Sequence, residues 1–149
     1  MNKKDSNIFD MVMNLSWFFG SQSFDGDCCR GLSLIEYMTL KKISILNTAS
    51  VQLLGKELNI TKSGISKVLT KLEKKGYIKK EKDQDDARVC CLLITIQGKK
   101  ILEDIDKSYS EYINNVLNDV EELDKDEVFK SLETLYIAFN KKGYKKKEI

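Results

Sequence analysis

A mainly helical fold with one small β-hairpin is predicted for this chain: a winged helix-turn-helix flanked by N- and C-terminal helices. Three observations predict it. Two short helical segments meet at the break Asn59-Ile60-Thr61. The second of them carries Lys62, Lys67, Lys71, Lys74 and Lys75 and stops at Gly76. Two strands follow directly, over 77–83 and 88–95, joined by the polar tip Gln84-Asp85-Asp86-Ala87. Helix, turn, lysine-bearing helix and hairpin, in that order, is the plan of a winged helix-turn-helix. Binding, not catalysis, is therefore the leading expectation.

The elements can be justified in chain order. Ile8, Val12, Leu15 and Phe19 recur at helical spacing and predict a first helix over about 7–20. Residues 21–31 have turn chemistry, rich in Ser, Asp and Gly around Cys28-Cys29. Ser33 is expected to cap the next helix, with Glu36 completing a capping box. That helix should run to about Leu46 and bury Leu34, Tyr37 or Met38, and Ile45. The helix-turn-helix pair occupies 51–58 and 62–75, with Thr61 expected as the N-cap of its second member. After the hairpin, Ile101, Ile105, Tyr109, Tyr112, Ile113, Val116 and Val120 mark one long helix. Val128, Leu132, Leu135, Tyr136 and Phe139 mark another. No proline interrupts any of these segments.

A chain of 149 residues suits one domain, 1–149, able to bury roughly two-thirds of its unfolded surface. Within it, about 32–98 forms the reading lobe, about 7–20 and 97–140 supply long flanking helices, and 141–149 is a basic tail. There is no histidine, so the commonest general base and the commonest zinc ligand are missing. No glycine-rich phosphate cradle is present, and no apolar run approaches the roughly 20 residues of a membrane span. The start, Met1-Asn2-Lys3-Lys4-Asp5, leads into an amphipathic segment and not into the apolar core of a signal peptide. A cytoplasmic protein with no enzymatic activity, no cofactor, no metal and no membrane contact is expected, with its four cysteines as free thiols.

Net charge is only +2, but its distribution is uneven. Residues 61–82 carry a net +6, 101–135 a net −8 and 136–149 a net +4. The positive field therefore belongs to the middle of the chain, where a polyanion would be attracted. A lysine run by itself marks a solvated helix face. On the second helix of a helix-turn-helix pattern it marks a surface facing DNA.

The flanking helices carry more apolar surface than a reading lobe of this size needs for its own core. Pairing with a second copy would bury it and would duplicate the reading head, which suits palindromic DNA. An intramolecular helical core is the simpler use of the same residues.

The stretch Leu54-Gly55-Lys56-Glu57-Leu58-Asn59-Ile60-Thr61 follows the pattern L-A-x-x-L-x-[VI]-[ST]. Leu72-Glu73-Lys74-Lys75-Gly76-Tyr77-Ile78 follows L-E-x-x-G-[LY]-[VI]. Asp86-Ala87-Arg88 and Leu92-Leu93-Ile94-Thr95-Ile96-Gln97-Gly98 resemble D-x-R and V-x-L-T-x-x-G at the right separation. In this order and register the chain resembles the MarR family of bacterial winged-helix transcriptional regulators. The resemblance implies a homodimer that binds a pseudo-palindromic duplex, in the role of a repressor released by a small-molecule, redox or metal signal. Two positions depart from the pattern. Ala87 stands where a second arginine is frequent. Gly64 stands where Ser or Thr is frequent, at a cost of about 1 kcal/mol of helix stability relative to alanine. That glycine either lets the backbone approach DNA or is simply tolerated.

Residue roles follow. Lys62, Ser63, Ser66, Lys67 and Thr70 are spaced to lie on the outward side of the second helix, with Lys71 beside them, while Ile65, Val68, Leu69 and Leu72 pack inward. The lysines and hydroxyls suit base edges and phosphates alike. Ser50, just ahead of the first helix of the pair, joins the DNA-binding set. The resemblance implies that Arg88 enters the minor groove with Asp86 holding its guanidinium; a local surface ion pair is the plainer use of both. Cys28 and Cys29, in a Gly/Asp loop beside Arg30, are either structural or thiols that sense oxidant or a thiophilic metal. Cys90 and Cys91 read as small strand residues. Trp17, Phe18 and Tyr37 either line a cleft for a small aromatic effector, as the resemblance implies, or are plain core. A helical dimeric adaptor that binds protein instead of DNA is the alternative from another class.

Overall fold

The computed structural model describes residues 3–21, 31–46, 49–82, 90–120 and 124–142. Among the described residues, six helices and two strands follow one another: α1 (Lys3–Ser21), α2 (Leu34–Ile45), α3 (Val51–Glu57), α4 (Lys62–Lys74), β1 (Ile78–Lys82), β2 (Cys90–Ile94), α5 (Ile96–Asn118) and α6 (Lys125–Lys142). The expected mainly helical winged helix-turn-helix is what forms. The chain divides into two compact units, Met1–Lys107 and Ser108–Ile149.

In the first unit, α2, α3 and α4 enclose the core with the hairpin. Leu40, Leu54, Ile65, Leu69, Leu72 and Leu92 are sealed from solvent. Burying each such side chain contributes about 1.5–3 kcal/mol. β1 and β2 pair antiparallel, in register from Ile78 opposite Ile94 to Lys82 opposite Cys90. Ala49 adds a one-residue rung: the Leu92 N–H donates to its carbonyl at 2.9 Å. Both strands are shorter than expected; the tip over 83–89, with Asp86 and Arg88, lies outside the described residues, as do Cys28 and Cys29.

α2 begins as expected. Ser33 is its N-cap, its hydroxyl accepts from the Glu36 N–H, and the Glu36 carboxylate accepts from the Ser33 N–H at 2.8 Å. The buried face differs from expectation. Glu36, Thr39, Leu40 and Ile43 are buried, Tyr37 is half-buried, and Leu34, Met38 and Ile45 are exposed. The reason is that α2 has apolar residues all the way round, so 3.6-residue periodicity does not select a face. Two polar side chains take core positions because hydrogen bonds satisfy them there. The Thr39 hydroxyl donates back to the Ile35 carbonyl at 2.7 Å, and Glu36 closes the capping box.

α1 exposes Ile8, Phe9, Met11, Met13, Leu15 and Trp17. In the second unit, α6 turns Phe129, Leu132, Tyr136 and Phe139 outward along one stripe, and the end of α5 exposes Tyr112, Ile113 and Val116. Among the described residues no helix is long and apolar enough to cross a membrane.

Candidate nucleic-acid interface

The turn between α3 and α4 is fixed by backbone hydrogen bonds. The Ile60 N–H donates to the Gly55 carbonyl at 2.8 Å and the Asn59 N–H to the Lys56 carbonyl at 3.3 Å, the pattern of a Schellman stop. Asn59 takes the left-handed position at φ 53°, a conformation asparagine tolerates better than most residues. Gly55 keeps the approach open, since a Cβ there would sit 3.0 Å from the Ile60 carbonyl oxygen. Thr61 then caps α4 as expected, its hydroxyl accepting from the Gly64 N–H at 3.1 Å. Ser50 caps α3 by accepting from the Leu53 N–H at 3.1 Å, so its side chain already has a structural task.

Gly64 sits in a crowded first turn. A Cβ there would lie 2.8 Å from the Ile60 Cγ2 methyl and 3.1 Å from the Thr61 hydroxyl that forms the cap. A side chain at this position would therefore require the Ile60 side chain to shift.

α4 divides cleanly. Ile65, Leu69 and Leu72 are buried and Val68 half-buried, while Lys62, Ser63, Ser66, Lys67, Thr70 and Lys71 are exposed. The Ser66 hydroxyl donates to the Lys62 carbonyl at 2.7 Å and the Thr70 hydroxyl to the Ser66 carbonyl at 3.0 Å. With their protons directed into the helix, both oxygens present lone pairs to solvent.

The lysines divide as well. Lys80 pairs with Glu73, Lys79 with Glu81, and Lys75 with Glu36 at 3.0 Å. Lys62, Lys67, Lys71 and Lys74 form no ion pair with any described residue. The sequence had placed Lys75 in the same ladder; the structure removes it from the free set. It adds Lys56 instead, which has no described carboxylate partner and lines an open cleft of about 480 Å³ with Val51, Gln52, Gly55, Ile60 and Lys62. Gln52 and Lys56 sit four apart on α3, a spacing that could have singled them out in the sequence.

Behind the reading face, α2 is tied to α5. The Tyr37 hydroxyl donates to Asp106 Oδ1 at 2.6 Å, and Lys41 Nζ reaches the Tyr37 oxygen at 2.8 Å and both Asp106 oxygens at 3.1 Å. Burial, reinforced by the Asp106 carboxylate, pushes the Tyr37 hydroxyl above its usual pKa. The hydrogen bond to Tyr37, helped by Asp106, raises Lys41. Burial pushes the Asp106 carboxyl up, but the donors from Tyr37 and Lys41 outweigh it and hold the group below its ordinary range. Of the expected effector residues, Tyr37 is thus engaged in this cluster, while Trp17 is 71 % exposed and Phe18 is exposed. Among the described residues no group of three or more Cys, Asp or Glu side chains could hold a metal ion.

The sequence model of the MarR family matches residues 32–90. The HTH-type transcriptional regulator SarZ of Staphylococcus saprophyticus is 29 % identical over 110 residues, covering 74 % of this chain and 72 % of that protein. Among solved structures, the transcriptional regulator BldR of Sulfolobus solfataricus superposes with a TM-score of 0.65 at 25 % identity, over 93 % of this chain and all of that one. FabT of Streptococcus pneumoniae, solved in complex with DNA, superposes with a TM-score of 0.73 at 20 % identity, over 95 % and 99 % of the two chains.

Proposed function

We propose that this chain, a MarR-family protein over residues 32–90, is a transcriptional regulator that binds duplex DNA as a homodimer. The observation that carries the proposal is the sorting of lysines between α4 and the segment that follows it. Lysines that turn back to the lobe are matched by glutamates, while Lys62, Lys67 and Lys71 stand unmatched beside Ser63, Ser66 and Thr70. A helix carrying such a face fits the major groove. Serine and threonine oxygens with lone pairs outward suit the amino groups of adenine and cytosine. The lysines suit phosphate or guanine. SarZ and BldR are described as transcriptional regulators, and FabT has been solved on DNA.

The apolar stripes on α1 and in the second unit support pairing with a second copy, because exposed patches of this kind mark association surfaces. Two reading heads then address a pseudo-palindrome with half-sites about one helical turn apart. Arg88 enters the adjacent minor groove with Asp86 supporting it. Repression is the role proposed for it. Release follows either from an aromatic effector seated near Trp17, Phe18 and Tyr37 or from modification of Cys28 and Cys29.

Selection of bound duplexes from a random pool, followed by affinity measurements across a salt series, tests the proposal. A palindromic consensus and a steep fall of affinity with salt are expected, since about 6–10 phosphate contacts release a similar number of counterions. Salt-insensitive binding, or a monomer in sedimentation at micromolar concentration, would sink it.

A further inference from the structure

Lys75 ends a helix whose other lysines point to solvent, yet its ammonium group is turned inward. Nζ donates to Glu36 Oε2 at 3.0 Å and to the Gly31 carbonyl at 2.7 Å. Among the described residues, Glu36 is the charged side chain that is buried, at 4 % exposure. The same oxygen, Oε2, also accepts from the Ser33 N–H at 2.8 Å. An uncompensated carboxylate in such a place is costly, and these two donors compensate it. Two stretches of chain therefore meet at one ammonium: residues 31–36, which lead into and open α2, and the C-cap of α4. The next residue, Gly76, turns the chain into the wing at φ 76°, and its carbonyl accepts from the Thr95 hydroxyl at 2.7 Å.

We propose that Glu36 and Lys75 are positioning residues for DNA reading: a strut that sets the direction of α4 from its C-terminal end without touching DNA, and passes shifts at Gly31 and the first turn of α2 to the reading helix. The lever is geometric. Thirteen residues span about 20 Å at about 1.5 Å each, so a tilt of a few degrees moves the Lys62 end by about an ångström. Specific hydrogen bonds tolerate about 0.5 Å. Sequence-independent phosphate attraction tolerates much more, so the strut should matter for the preferred duplex and little for any other. The affinity part of this inference rests on the DNA reading proposed above; the mechanical part does not.

The test uses the full chain with Lys75→Met and, separately, Glu36→Gln, which keeps the capping box and removes only the charge. Binding to the duplex selected by the parent protein should weaken about tenfold in each, and affinity for a scrambled duplex should stay within about twofold. The slope of log affinity against log salt should match the parent, because no phosphate contact is lost. Exchange should quicken at the Gly76 and Tyr77 amides, which close the end of α4, and not at the α3 amides. Combining the two changes should add little to either alone, since both cut one link. A salt slope lowered by about one in Lys75→Met would assign Lys75 to phosphate and overturn the proposal. Unchanged exchange in both variants would overturn it as well. Faster exchange in a protein whose parent binds no duplex would leave the strut standing and remove the DNA reading instead.

Discussion

Gly98 passes directly beneath the carbonyl oxygen of Tyr77: a Cβ on Gly98 would stand 2.2 Å from it and 2.8 Å from Ile94 Cγ1. The same oxygen accepts from the Thr95 N–H at 3.0 Å, and the Thr95 hydroxyl donates to the Gly76 carbonyl while accepting from the Gly98 N–H at 3.0 Å. The end of β2 and the first turn of α5 are thereby closed onto the turn that leaves α4. The glycine that ends the L-T-x-x-G pattern is thus a packing requirement. Gly98→Ala should lower stability by about 1–3 kcal/mol or more, because rigid backbone cannot yield as a side chain would. A melting temperature within a degree of the parent would refute this account of the junction.

Gly64→Ala offers the opposite test of propensity against packing. Helix propensity alone would favour alanine by about 1 kcal/mol. The Ile60 methyl and the Thr61 capping hydroxyl stand in the way, so thermal unfolding should show no gain or a loss. A rise of several degrees would mean that the turn relaxes freely.

The sorting of lysines predicts distinct salt dependences. Lys67→Gln and Lys56→Gln should each lower the salt slope of DNA binding by about one. Lys80→Gln, which removes a lysine already paired with Glu73, should leave that slope as it is. Arg88→Ala should weaken binding by about 1–3 kcal/mol. Fluorescence anisotropy with a labelled duplex at several salt concentrations reads all four. Equal slopes in Lys67→Gln and Lys80→Gln would contradict the division of the two faces.

Acid should loosen the lobe through Glu36. Burial pushes its carboxyl up, but the Ser33 N–H and the Lys75 ammonium outweigh burial and hold it below the usual value near 4.5. The folded form therefore releases this proton more readily than the unfolded one. Its contribution to stability is complete above about pH 4.5 and is lost as pH falls through the lower folded value. Glu36→Gln should flatten that acid limb in denaturant titrations and leave the limb above neutral pH unchanged. An acid limb identical to the parent's would place the titration elsewhere.

What the sequence by itself determined is the local grammar. Ser33 with Glu36, Thr61 before the lysine helix, Gly76 after it and the break at Asn59 are each read correctly, because capping and turn formation depend on residues only a few positions apart. The inward set Ile65, Leu69 and Leu72 is legible for the same reason: α4 has one apolar side, and periodicity finds it. α2 has no such asymmetry, so only packing against α3, α4 and β2 decided that Glu36 and Thr39 go in while Leu34, Met38 and Ile45 stay out. Tertiary structure also decided which lysines are free. Glu36 and Gly31 lie 39 and 44 residues from Lys75, and Asp106 lies 69 from Tyr37, separations that no local pattern encodes. The lysine ladder looked uniform because charge is a property of the residue. Its availability to a partner depends on which carboxylates the fold brings within about 4 Å.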